Sequence, residues 1–212
     1  SKFLGTEHVY VTTQIGPYAL LDPISREAFF DIDVRNIDKE WIVFHDRIDE
    51  EIIYDYKVIL ELGEVKVEAE KEKAHTFHYN KEVKDGWDYV LDNQGNVKKD
   101  SLGNDIKKPK FIDIKARVTE IERHKEAHLF AELIIFNLHS NKEIERYPID
   151  AHIDFNGFSC RLKGDKRAIE GADRKHKIDK RLEPFPLDEE MIYEGIININ
   201  KEAKRRIKKQ FS

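Results

Sequence analysis

Hydrophobic and polar residues alternate with period two along much of the chain, the pattern of strands that bury one face. Over residues 52–62 the run IIYDYKVILEL puts Ile52, Tyr54, Tyr56, Val58, Leu60 and Leu62 on one side, with Ile53, Asp55, Lys57, Ile59 and Glu61 on the other. A helix through Ile52, Tyr56 and Ile59 would leave Tyr54 and Val58 badly placed, so the segment reads as a strand. Ile149, Ala151, Ile153 and Phe155 alternate in the same way against Asp150, His152 and Asp154. Residues 112–123 and 128–137 are rich in β-branched and aromatic side chains and read as two further strands. Polar turns are expected at Lys125-Glu126 and at Ser140-Asn141-Lys142. Asp85-Gly86 and Asn156-Gly157 are dipeptides that favour hairpin turns. Together these segments predict an antiparallel meander with short connections.

Residues 63–75 are charged and lack a sustained apolar face, which predicts an exposed loop or strand extension. Two turn phrases, DNQGN at 92–96 and DSLGN at 100–104, supply Gly and Asn for positive φ and predict a long connection. Helical spacing is clear only near the end. Pro184 and Pro186 stop what precedes, and Asp188 is expected to cap a helix over residues 188–210. Ile192, Ile196, Ile199, Ala203, Ile207 and Phe211 form its apolar stripe, opposite Lys201, Lys204, Arg205 and Lys208. A shorter helix is expected around residues 165–171. The predicted class is mainly β to α+β: an antiparallel sheet built of hairpins with the C-terminal helix packed on it. Residues 1–212 form one domain or two tightly packed halves, divided near residues 63–80.

Composition sharpens this picture. Hydrophobic residues at 40% can bury a sizeable core, which excludes a wholly disordered chain, and charged residues at 37% imply a very polar surface. The single cysteine, Cys160, excludes an internal disulfide and sits where packing is expected rather than reaction. No apolar run has the length of a membrane span; the densest stretch, residues 129–138, is interrupted by Glu132. Charge is uneven: residues 161–212 carry 15 Lys or Arg against 10 Asp or Glu, and the preceding 160 carry 22 against 32. The basic segment lacks the interleaved aromatics of single-strand binders, so a solvated helix face is expected there and no nucleic-acid partner.

The strand face bearing Asp150, His152 and Asp154 is the main candidate for chemistry. Alternate residues on a strand point the same way about 6.6–6.8 Å apart, so two carboxylates and an imidazole could hold a divalent cation if another element added ligands. The competing reading is the ordinary solvent side of an amphipathic strand. His124 and His128 have the i, i+4 spacing of zinc-binding helices, but the sequence reads HKEAH rather than His-Glu-x-x-His, and a hairpin is expected there. His75 and His78 lie in polar sequence without a cysteine and read as surface histidines. The phrase at 92–104 fails as a calcium loop, with Gly95 at position four and Gly103 at position twelve. There is no G-x-S-x-G and no glycine-rich phosphate loop, so no nucleophile or cofactor is expected.

The segment KEVKDGWDYVLDNQGNVKKDSLGNDIKKPKF at 81–111 is followed by GDKRAI at 164–169, PFP at 184–186 and MIY at 191–193. This arrangement resembles a group of uncharacterised bacterial cell-envelope proteins, many made as lipoproteins. The resemblance implies an envelope location and a lipid-bearing cysteine just before Ser1, the membrane being reached only through that anchor. It transfers no activity, catalytic residue or cofactor. The leading expectation is a non-enzymatic envelope domain that binds or scaffolds another envelope protein through a sheet edge or hairpin ends. The alternative is a metal-dependent hydrolase using Asp150, His152 and Asp154, joined by His124 or His128.

Overall fold

The alternating segments become strands. A computed structural model of the chain describes residues 5–34, 37, 39–169, 178 and 181–211. It contains β1 (Glu7–Tyr18), α1 (Pro23–Phe30), β2 (Ile42–His45), β3 (Tyr56–Val67), β4 (Lys71–Tyr89), β5 (Lys107–Asn137), β6 (Lys142–Gly164), a 3-10 turn at Lys166–Ala168 and α2 (Asp188–Gln210). The fold is α+β and mostly strand, with the C-terminal helix packed on the sheet. Among the described residues, no helix is long and apolar enough to cross a membrane.

The sheet is mixed rather than purely antiparallel. β1 runs parallel to both β2 and β3, while β3 is antiparallel to β5. β5, 31 residues long, pairs with β3, β4 and β6. The chain divides into two units: residues 1–71, 124–155 and 185–212, and residues 72–123 and 156–184.

In the first unit the inward side chains of five strands, β1, β2, β3, β5 and β6, form the core. Val58, Leu60 and Leu62 of β3 are fully buried, as are Ala127, Ala131, Leu133 and Ile135 of β5. Burying each of the larger ones is worth about 1.5–3 kcal/mol over leaving it exposed. Ile196, Ile199, Ala203 and Ile207 of the expected stripe are buried on α2, joined by Met191 in place of the stripe's Ile192, which is only partly buried. Gly195 allows close approach, since a Cβ there would lie 2.4 Å from Leu129 Cδ1. Phe211 closes the end of α2 against Phe44 and Tyr56. Asp188 does not cap α2. Leu187 is the N-cap, its amide donating to Glu190 Oε2 at 2.9 Å, and Asp188 enters the first turn with its carboxylate on the Lys125 ammonium at 2.6 Å.

Residues 63–67 extend β3 because a bulge at Gly63 resets its register between Leu62 and Glu64. After the bulge Val65 and Val67 pack against the core, and Glu64 and Lys66 take the outer face. The turn expected at Lys125-Glu126 does not form; β5 runs through it. Lys125 alternates inward with Ala127 and Leu129, burying its aliphatic stem while its ammonium reaches the Pro186 carbonyl at 2.7 Å.

The second unit has a smaller core of Ile114, Ala116, Val118, Cys160, Ala168, Ile169 and Ile178. Cys160 packs there, fully buried. Neither expected hairpin turn forms, because Asn156-Gly157 continues β6 and Asp85-Gly86 lies within β4, where Gly86 takes φ +87°. The phrases at 92–104 do turn. Asp92 and Asp100 each accept backbone N–H bonds two and four residues on, with Gly95 and Gly103 at positive φ. The short helix expected at 165–171 is a single 3-10 turn whose Asp165 side chain takes the Arg167 N–H; residues 170 and 171 lie outside those described.

Candidate functional site

Two groups that look unrelated in the sequence meet on the outer face of the first unit. Residues 125, 127 and 129 of β5 point into the core, so His124, Glu126 and His128 point out. Ile149, Ala151 and Ile153 of β6 are buried, so Asp150, His152 and Asp154 also point out. β5 and β6 are neighbours in the sheet, and the six polar side chains share one surface.

Five of them, all but Asp150, form a continuous chain of contacts. His124 Nε2 hydrogen-bonds Glu126 Oε1, and His128 Nε2 lies 3.4 Å from Glu126 Oε2. His128 Nδ1 and His152 Nδ1 are 2.9 Å apart with ring centroids 4.2 Å apart, and His152 Nε2 lies 2.9 Å from Asp154 Oδ1. Two imidazole nitrogens at that separation share one proton, one ring donating and the other accepting. The His124 ring, and then the His128 ring, hold the Glu126 carboxyl below its ordinary range. Glu126 is therefore a carboxylate at neutral pH, the form a cation needs.

Potential ligand atoms converge in two sets, each within 4.8 Å: Glu126, His128 and His152 in one, and His124, Glu126 and Asp154 in the other. Asp150 belongs to neither. It lines an adjoining open cavity of about 480 Å³ with Glu64, Lys66, Glu68, His128 and His152. Lys66 stands directly across from His128 in the β3–β5 register. The Glu68 carboxyl is held below its ordinary value chiefly by Lys71, whose ammonium lies 2.8 Å away.

Of the residues singled out in the sequence, the structure thus unites His152 and Asp154 with His124 and His128, and leaves Asp150 at the margin. His75 and His78 are exposed on β4 and join no set of three ligands among the described residues. Glu126 is common to both sets, although its local sequence, Lys125-Glu126, reads as a turn. Its signal was present as His-x-Glu-x-His, which a strand presents on one face.

A second histidine group has no local sequence signal. His8 Nδ1 lies 2.9 Å from His45 Nε2, and Asp55 joins the His8 amide and the His139 ring, each at 2.7 Å. Burial pushes the Asp55 carboxyl up, but those two partners outweigh it and hold it below its usual value.

No protein-family model matches the chain, and no curated protein shows significant similarity to it.

Proposed function

We propose that the protein is a metal-binding domain that takes a divalent late first-row transition-metal ion on the outer face of β5 and β6, with Glu126, His128 and His152 as ligands. The observation that carries this is the convergence of those three donors within 4.8 Å. Two imidazoles and one carboxylate suit Zn²⁺ or Fe²⁺, whereas Mg²⁺ and Ca²⁺ favour oxygen ligands throughout. Bonds of about 2.0–2.2 Å in tetrahedral geometry place ligand atoms about 3.4 Å apart. Donor atoms up to 4.8 Å apart must therefore close by up to about 1.4 Å, which half-exposed rings on adjacent strands can do by χ rotation.

Calorimetric titration with ZnCl₂, with MgCl₂ as control, tests the proposal. Micromolar or tighter zinc uptake that His152→Ala weakens about tenfold or more supports it, whereas no zinc uptake by the folded protein sinks it. The hydrolase alternative uses the same ion and predicts that zinc-loaded protein turns over an activated ester. The cell-envelope setting, with a lipid anchor and an envelope protein partner, is a further proposal supported by the resemblance at 81–111. The mass of the N-terminal peptide from native cells tests it: a lipidated cysteine before Ser1 supports the anchor, and an unmodified peptide removes it.

A further inference from the structure

We propose that this face holds two metal ions bridged by the Glu126 carboxylate, one completed by His128 and His152 and the other by His124 and Asp154. The inference rests on the metal-binding reading above and extends it from one ion to two.

The donors themselves separate this way. They converge as two sets of three, and Glu126 is the only member common to both. A single ion would gather all of its ligands around one point, but these five residues do not converge as one set. Glu126 faces both ways, with Oε1 on His124 and Oε2 toward His128. A carboxylate so placed can give one oxygen to each of two cations, which in two-metal sites stand about 3.5–4 Å apart. His152 links the two sets, with Nδ1 toward His128 and Nε2 toward Asp154.

Strand geometry makes the arrangement possible. Glu126 lies centrally on β5, with His124 and His128 each two residues away on the same face. β6 supplies one further ligand to each position from its own alternate pair, His152 and Asp154. The donors satisfy one another by hydrogen bonds. Cations compete with protons for these nitrogens and carboxylates, so uptake weakens as pH falls.

The test is the zinc stoichiometry of the folded full chain, read by competition with a chromophoric chelator and by elemental analysis after desalting. The expected result is about two equivalents for the native protein and about one for His124→Ala and for Asp154→Asn. Glu126→Gln is expected to weaken both equivalents at least tenfold. One equivalent in the native protein overturns the two-ion inference and leaves the metal-binding reading standing. None overturns both. Two equivalents that survive both His124→Ala and Asp154→Asn place the second ion elsewhere, for example at His8 and His45, and also overturn the inference. Circular dichroism of each variant checks the fold, which these outward-facing side chains should not disturb.

Discussion

Lys125 has only 4% of its surface exposed, and its ammonium is held by Asp188 at 2.6 Å and the Pro186 carbonyl at 2.7 Å, with Glu70 at 3.6 Å. A lysine in a polar dipeptide reads as a turn, yet its four-carbon stem lets one residue serve a core face and a charged rim together. Lys125→Met keeps the stem and removes the charge. Urea denaturation should then show a loss of about 1.5–3 kcal/mol, the range for hydrogen bonds to charged groups, while an unchanged midpoint would mean the contacts contribute nothing. His124 and His128 carry i, i+4 spacing, which has meaning for zinc on a helix, but they lie on a strand. On a strand the informative spacing is i, i+2, which brings in Glu126. Asp150 illustrates the converse, since alternation places it on the right face but the ligand sets omit it. Asp150→Asn should therefore leave zinc affinity within about threefold of native, against a loss of about tenfold or more for His152→Ala. A large loss in Asp150→Asn would put that carboxylate among the ligands.

At the scale of elements, the span of α2 is legible because its apolar residues recur at three and four and prolines precede it, but its cap is not, since Leu187 rather than Asp188 is the N-cap. Strand faces were equally plain; strand ends were not. Asp-Gly and Asn-Gly pairs announce turns only when the flanking segments fold back on each other, and β4 and β6 pair elsewhere. The parallel pairing of β1 with β2 and β3 joins segments distant in sequence and has no local signature. Two changes in α2 test its packing and its surface. Gly195→Ala would ordinarily favour a helix by about 1 kcal/mol. Here the new methyl meets Leu129, so a net loss of about 1–3 kcal/mol is expected in urea; a gain would mean that Leu129 moves aside freely. Glu202 bonds Arg205 and Arg206, and those guanidiniums draw its carboxyl down to about 2 from an ordinary 4.5. A folded-state value below the unfolded one gives stability that is present above about pH 4.5 and is lost as pH falls toward 2. The pair is partly solvated, so its worth is about 0.3–1 kcal/mol. Glu202→Gln should be less stable than native by that amount at pH 6 and equal to it near pH 2. A gap that persists in acid would assign the effect to packing.

For the whole molecule, the division into two units follows from the length of β5 and β6, each of which contributes residues to both cores. Every donor of the proposed site lies in the first unit: His124, Glu126 and His128 from β5, and His152 and Asp154 from β6. The proposed ligands come together only where those strands are in register, so zinc bound there would stabilise against local openings that separate them. At one hundred times its dissociation constant, a single bound ion adds about 2.7 kcal/mol. Local openings in the other unit leave the site intact and gain nothing. Amide hydrogen exchange with and without zinc should therefore show slowed exchange at residues 124–128 and 150–154, reversed by chelator. Residues 114–118 and Cys160, in the core of the second unit, should exchange at unchanged rates wherever local opening dominates. Equal slowing in both units would mean that they open together, and zinc would then report on global unfolding. Slowing in the second unit alone would move the metal off this face and remove the proposal.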